Sequence, residues 1–351
     1  SKPMAVSLPV VFALHEFVVA GASWRDTARR VAPYVVVAAA LAAVTLVAQR
    51  DAMKALPLPL SLRVQTMFST QVSHYLTNTL MPGCLHTPYL YPSAWPVEVL
   101  VAGVVVVVAL VVAAVYGRRR WPTFSFGIGW YFFVMLPTSG LVMVGVAPAA
   151  DRYTYLPTVG LLIAVAALLA PVLVVRRQLV PVVVVAGLGA AGGFALMTRT
   201  QIAVWSSTTT LYANALRCEP ENALVLESAA ADDYAGGRLR DAMLKLQHAS
   251  RLRPDNVAHW TMQGLVAMTA QAYPMGHEAF VEALRRAPTD PLARLGEATA
   301  RFGMGERQAL VDVDAVVVDT INPFRLRRVA EVLEQLGEPE RGARLRAIAN
   351  R

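Results

Sequence analysis

The chain has 351 residues, 56% of them hydrophobic and 16% charged, with a mean hydropathy of +0.46. That is too apolar for an ordinary soluble domain and too charged for membrane throughout, so the chain divides. The basic excess belongs to one part: up to Ala203 there are 14 Lys and Arg against 5 Asp and Glu, and after it 18 against 19. The arginines of the first part stand in short loops between apolar runs, where they set membrane topology, and no nucleic-acid partner is expected.

A first apolar run over residues 4–20 carries His15 and Glu16 near its end, and a second covers 31–48. Ser1 leads straight into the first run, with no charged n-region and no small-residue cleavage site, so the run does not read as a signal peptide. The chain reads as the C-terminal part of a longer protein. Arg25, Arg29 and Arg30 outnumber Asp26 between the two runs, which places that loop on the cytoplasmic side.

Residues 49–95 are less apolar. Leu60, Val64, Met67, Phe68, Val72, Tyr75, Leu76 and Leu80 recur at helical spacing among polar residues, which predicts an amphipathic helix in the interface plane or packed on the bundle. The segment after it, Pro82 to Pro92, is punctuated by prolines, and its tyrosines with Trp95 suit interface anchors or a lip that contacts substrate.

Further spans are expected over 96–116, 124–146, 158–175 and 179–197, with Pro137 and Gly140 bending the 124–146 span. Arg118, Arg119 and Arg120, and then Arg176 and Arg177, fall on the same side as the first arginine loop. Six spans then leave two features outside. One is a polar hinge, Asp151-Arg152-Tyr153-Thr154-Tyr155-Leu156-Pro157, and the other is the whole C-terminal part. The expected location is the inner (cytoplasmic) membrane, multi-pass, with residues 204–351 on the periplasmic or extracytoplasmic side.

That C-terminal part carries a period: Pro220, Pro254 and Pro288 are 34 residues apart, and Pro323 follows after 35. Thirty-four is the tetratricopeptide (TPR) spacing, each unit being two antiparallel helices. Ala242 and Ala249 fill small-residue slots in the unit after Pro220, and Trp260, Gly264, Phe280 and Ala283 fill the aromatic and small slots of the next. The unit after Pro288 is degenerate, with Asp312-Val313-Asp314-Ala315-Val316-Val317-Val318 in its second helix. Residues 323–351 read as a closing helix pair with Gly337 at the turn and a polar outer face, and 205–218 as a leading helix. The fold class is therefore all-α: a membrane bundle over 1–203 of about six spans plus an interfacial helix, then a TPR α-solenoid over 204–351.

The block from Phe126 to Leu161, with Leu136-Pro137 in the span and then Asp151-Arg152-Tyr153 through Tyr155-Leu156-Pro157, resembles the transmembrane and TPR protein O-mannosyltransferases and their bacterial relatives. The opening Ser1-Lys2-Pro3-Met4-Ala5-Val6, with Leu8-Pro9 and His15-Glu16, is similar to another block of that family, although Pro3 stands where its members usually have an acid. The resemblance implies a GT-C type membrane glycosyltransferase that moves a sugar from a polyprenyl-phosphate carrier to an acceptor hydroxyl. In such folds the catalytic acid usually lies in the first external loop, which would be upstream of Ser1. The sugar, the acceptor and any metal requirement stay open.

Arg152 is the candidate for the lipid-linked phosphate, because a planar guanidinium matches phosphate oxygens. The structural alternative is an Arg152–Asp151 pair that packs the loop. Asp151 is read as orienting Arg152, binding a divalent ion or acting as a base. Tyr153 and Tyr155 are donor-site candidates or interface aromatics. His15 with Glu16 is read as a structural pair, and His74 and His86 as isolated polar surface residues. Cys84 and Cys218 show no metal-site spacing and are read as buried or free thiols, with a disulfide as the alternative. The repeats hold no catalytic constellation. Their concave face suits a peptide or partner protein, and a non-catalytic membrane-anchored scaffold is the alternative function.

Overall fold

The computed structural model describes residues 6–48, 58–92, 94–141, 149–318 and 320–350. Among these residues every regular element is helical, and the chain forms two compact units, Ser1–Ala203 and Val204–Arg351. The expectations for Ser1 to Ala5 and for residues 142–146 of the fourth run fall outside the described residues.

In the first unit α1 (Leu8–Leu14) runs into a π turn (His15–Val19), followed by α2 (Trp24–Ala48). α3 (Leu60–Thr70) continues through a second π turn (Gln71–Leu76) into α4 (Thr77–Leu80). The apolar helices α5 (Val97–Gly117), α6 (Pro122–Met135), α7 (Tyr155–Val175) and α8 (Val180–Val204) follow. The valines of α5 disfavour a helix in water. In hydrocarbon, however, every backbone group must be satisfied within its own segment, and a helix is the single-segment solution. Its 21 residues give about 31 Å of rise, close to the thickness of a bilayer core.

Among the described residues four helices are long and apolar enough to cross a membrane: Trp24–Thr45, Val97–Gly117, Asp151–Val175 and Arg177–Val204. The first run makes only the short apolar helix Leu8–Val19. α6 stops at Met135 and ends in one 3-10 turn, Leu136–Thr138, because Pro137 lacks an N–H and Gly140 takes a left-handed φ of 89°.

α6 and α7 cross at a glycine pair. A Cβ on Gly127 would stand 2.5 Å from the Gly160 carbonyl oxygen, and one on Gly160 would collide in turn with the Gly127 carbonyl. Small residues let the two backbones approach this closely. α8 differs, with no buried side chain along its length.

α3 packs against α5, where Gly103 faces the Phe68 backbone, but the expected apolar stripe faces inward only in part, with Tyr75 fully buried. Leu60, Val64 and Leu80 are exposed, whereas Thr66, Ser69, Thr70, Gln71 and His74 are buried. The polar side chains point inward because they find partners there: Trp95 Nε1 donates to Thr66 Oγ1 at 2.9 Å and the Tyr131 hydroxyl to Gln71 Oε1 at 2.9 Å.

The second unit begins with α9 (Thr208–Cys218), capped by the Ser207–Thr210 capping box. Helix pairs follow: α10 (Ala223–Ala235) with α11 (Leu239–Leu252), α12 (Val257–Thr269) with α13 (Tyr273–Arg286), α14 (Pro291–Gly303) with α15 (Ala309–Ala315), and α16 (Pro323–Gln335) with α17 (Pro339–Ala349). The first helix of each pair is capped by Asn222, Asn256, Asp290 or Asn322, whose side chain accepts from a backbone N–H of the first turn. The turn inside each pair needs a left-handed residue, supplied by Gly237, Gln271, Gly305 and Gly337.

Phe280 is fully buried between α12 and α14, with Gly264 and Gly296 on either side. The degenerate third pair has a second helix of only seven residues. As a result α16 does not close the end of the stack as a cap. It packs on α14 and also on α12, and it reaches α10, where the Tyr234 and Phe324 rings lie 6.2 Å apart edge to face. The Arg325 guanidinium is 3.8 Å from Glu227. The inner face expected to receive a peptide is therefore covered by the chain's own helix.

Candidate functional site

Asp151 opens a 3-10 turn, Asp151–Thr154, immediately before α7. The turn closes on itself: Tyr153 N donates to the Ala150 carbonyl at 2.9 Å and Thr154 Oγ1 to the Asp151 carbonyl at 2.8 Å. The carboxylate is bound from two other segments. Tyr89, in the proline-punctuated segment, donates its hydroxyl to Asp151 Oδ1 at 2.8 Å, and Asn78 Nδ2 approaches the same oxygen at 3.4 Å. His74 Nε2 lies 3.3 Å from it, not aligned as a hydrogen bond.

His74 and His86 are thus not surface residues; they are 7% and 6% exposed. Both rings pack on Tyr89, with centroid distances of 4.3 and 4.2 Å. Burial pushes the Tyr89 hydroxyl well above its ordinary range, and the Asp151 charge adds to this, so Tyr89 stays a donor. Burial lowers the His86 imidazole, against the pull of Asp151.

Arg152 does not pair with Asp151. It is exposed, its guanidinium lies 5.4 Å from the centre of the Tyr153 ring, and it forms no ion pair among the described residues. Tyr153 is partly buried against a cluster of Tyr75, Tyr131, Met135 and Ala149, whereas Tyr155 is 73% exposed. Of the four donor-site candidates, Asp151 and Tyr153 hold the turn, and Arg152 and Tyr155 project from it.

This arrangement offers a fixed carboxylate acceptor beside an exposed fork of N–H donors at the start of an apolar helix. Both hydrogen bonds to the carboxylate, from Tyr89 and Asn78, fall on Oδ1. Among the described residues no group of three His, Cys, Asp or Glu side chains could hold a metal ion. Sequence reasoning missed His74, Asn78 and Tyr89. The signal was present in the four-residue spacing of Thr66, Thr70, His74 and Asn78, a polar stripe along one helix face.

His15 Nδ1 lies 4.0 Å from Glu16, and Arg30 bonds Glu16 at 2.5 Å, beside a cavity of about 440 Å³ that Phe12 and Tyr34 also line. Neither Cys84 nor Cys218 is a free thiol, contrary to the simpler expectation. In the repeat unit Ala242, Ala249, Phe280 and Ala283 are fully buried, and Gly264 abuts the Phe280 ring. Trp260 is partly buried, donates Nε1–H to the Pro254 carbonyl at 2.8 Å and carries the Arg286 guanidinium 4.7 Å from its ring.

No protein-family model matches this chain, and no curated protein matches it in sequence. Among solved structures, it is similar to the crystal structure of MamA, with a TM-score of 0.30 and 14% identity over 40% of this chain and 84% of that one. A second structure, described as MamA MSR-1 C2, gives 0.27 and 18% over 40% and 85%. Scores this low transfer neither fold nor function.

Proposed function

We propose that this chain serves membrane glycosyl transfer of the GT-C type, with a polyprenyl-phosphate-linked sugar as donor, an acceptor hydroxyl on a protein, and the repeat unit engaging a protein partner. The reading places the chain in the inner membrane with the Asp151 turn and the repeats on the extracytoplasmic side. Four helices long and apolar enough to cross a bilayer support a membrane location; the extracytoplasmic side rests on the arginine loops, which require the shorter apolar run that holds α6 to cross as well, and it fits two cysteines neither of which is free.

One observation carries the donor assignment. Asp151 is occupied by Tyr89 and Asn78, which leaves Arg152 beside it exposed and without a carboxylate among the described residues. An unpaired guanidinium at the start of an apolar helix suits a lipid-borne phosphate, which it can hold through two parallel hydrogen bonds. Under this reading Asp151 fixes the turn and takes no proton from the acceptor, and the general base comes from elsewhere in the protein.

The test is transfer by membranes that carry the protein, given a panel of polyprenyl-phosphate sugars, with Arg152→Ala and Arg152→Lys alongside wild type. Loss of transfer in both variants at unchanged protein level supports a bidentate phosphate contact. Full transfer in Arg152→Lys rejects it. A second reading, a non-catalytic membrane-anchored scaffold, gains if no donor is turned over.

A further inference from the structure

The π turn that closes the first apolar helix carries two ionisable residues, His15 and Glu16. Such turns recur at functional sites, and an ionisable group in an apolar helix is costly enough to mark one. Both residues line a cavity of about 440 Å³, together with Phe12 of α1 and with Arg30, Val31 and Tyr34 of α2. A structural pairing accounts for only part of its chemistry. Arg30 reaches Glu16 Oε2 through one terminal nitrogen at 2.5 Å, so its Nε and its other terminal nitrogen keep no acceptor among the described residues. Glu16 Oε1 stands 4.0 Å from His15 Nδ1, beyond hydrogen-bond reach, and the Tyr34 hydroxyl has no partner among the described residues.

We propose that this cavity holds the headgroup of an aminophospholipid of the phosphatidylethanolamine kind, its phosphate on Arg30 and Tyr34 and its ammonium on Glu16. The open N–H groups of a guanidinium match phosphate oxygens, and Tyr34, four residues after Arg30, stands on the same helix face. The open carboxylate oxygen accepts from a primary ammonium, whereas a choline head has no N–H to give it. One acid and one guanidinium meet a zwitterion with each charge opposed. Phe12 and Val31 form an apolar wall, and the exposed Phe17, Val35 and Val36 on the same two helices offer a path for acyl chains. The inference rests on the membrane placement proposed above, at the end of α1 beside the arginine loop, and not on sugar transfer.

The test is native mass spectrometry of the detergent-solubilised full chain, titrated with phosphatidylethanolamine, phosphatidylcholine and phosphatidylglycerol of identical acyl chains. Wild type should bind one phosphatidylethanolamine at least about tenfold more tightly than either of the others. Glu16→Gln should reduce that lipid to the phosphatidylcholine level, because the two heads share the phosphate and differ at the ammonium. Arg30→Gln should weaken all three lipids, and Tyr34→Phe, which keeps the ring that meets Phe12 edge to face at 5.2 Å, should weaken all three by about threefold. Equal binding of the three lipids by wild type, an unchanged preference in Glu16→Gln, or displacement of the lipid by an equal concentration of soluble phosphoethanolamine overturns the proposal. If Glu16→Gln or Arg30→Gln loses helix by circular dichroism, the wild-type ranking and Tyr34→Phe decide. A chain that transfers sugar without a headgroup preference refutes this site alone, and one that prefers phosphatidylethanolamine but transfers nothing counts against the donor reading alone.

Discussion

Phe280 gives the sharpest test of how the repeats are held. Its ring is fully buried, and a Cβ built on Gly264 would stand 2.6 Å from the ring edge, while one on Gly296 would come closer still from the other side. Carbon atoms rest at about 3.5 to 4.0 Å, so the ring would have to retreat by about 1 Å, toward the opposite glycine. Ala in place of Gly in a helix gains about 1 kcal/mol from propensity, whereas overpacking costs about 1 to 3 kcal/mol. Each single variant, Gly264→Ala or Gly296→Ala, should therefore be neutral to about 2 kcal/mol destabilising. The double variant should lose more than the sum, because the ring is then blocked on both sides. Thermal melts of the detergent-solubilised chain, with amide exchange in α12 to α14 as the local readout, measure this; about 2 kcal/mol corresponds to a fall of several degrees. Phe280→Leu should partly rescue the double variant. A rise in melting temperature for both single variants, by the amount propensity alone would give, would refute the sandwich.

Gln271 holds the left-handed turn position, φ 58°, that glycine fills at Gly237, Gly305 and Gly337; Gln271→Gly should stabilise by about 1 kcal/mol, read as a higher melting temperature. Asp151→Ala leaves the Tyr89 hydroxyl without its acceptor and should cost about 1 to 3 kcal/mol, whereas Tyr89→Phe should cost about 1 kcal/mol, and denaturant titration separates the two. Glu227 lies below its ordinary value of 4.5, chiefly through a hydrogen bond from His259, with burial opposing. Because the folded value is the lower one, its contribution is complete above pH 4.5 and fades as pH falls through the folded value; Glu227→Gln should flatten that acid limb of the stability profile, and an unchanged limb would contradict the pairing.

The repeat was legible because it rests on local rules. Prolines, small residues and helix caps recur at a fixed interval, and each acts on its own neighbours. What α16 does was not legible, because its place depends on the shortness of α15 and on contacts with α10, some ninety residues upstream. In the first unit the apolar runs revealed helices, but run length alone did not show where they stop, since Pro137 and Gly140 end α6 early. The Asp151 turn stood out for its composition. Its partners did not, because a stripe defined by Thr66, Thr70, His74 and Asn78 reads as solvent-facing under the ordinary rule that apolar faces turn inward. That rule weakens where the surroundings of a helix are themselves apolar.

The glycine crossing of α6 and α7 acts on the Asp151 turn from a distance. Gly160 lies eight residues past Arg152, about 12 Å along the helix axis. With the two backbones in contact at that fulcrum, any side chain placed there pries the helices apart and swings the upper end of α7 with its guanidinium. The aim of Arg152 is thus set two helical turns away, by two residues with no side chain at all, and a Gly160→Ala change should mis-aim the arginine while leaving every polar partner of the turn intact.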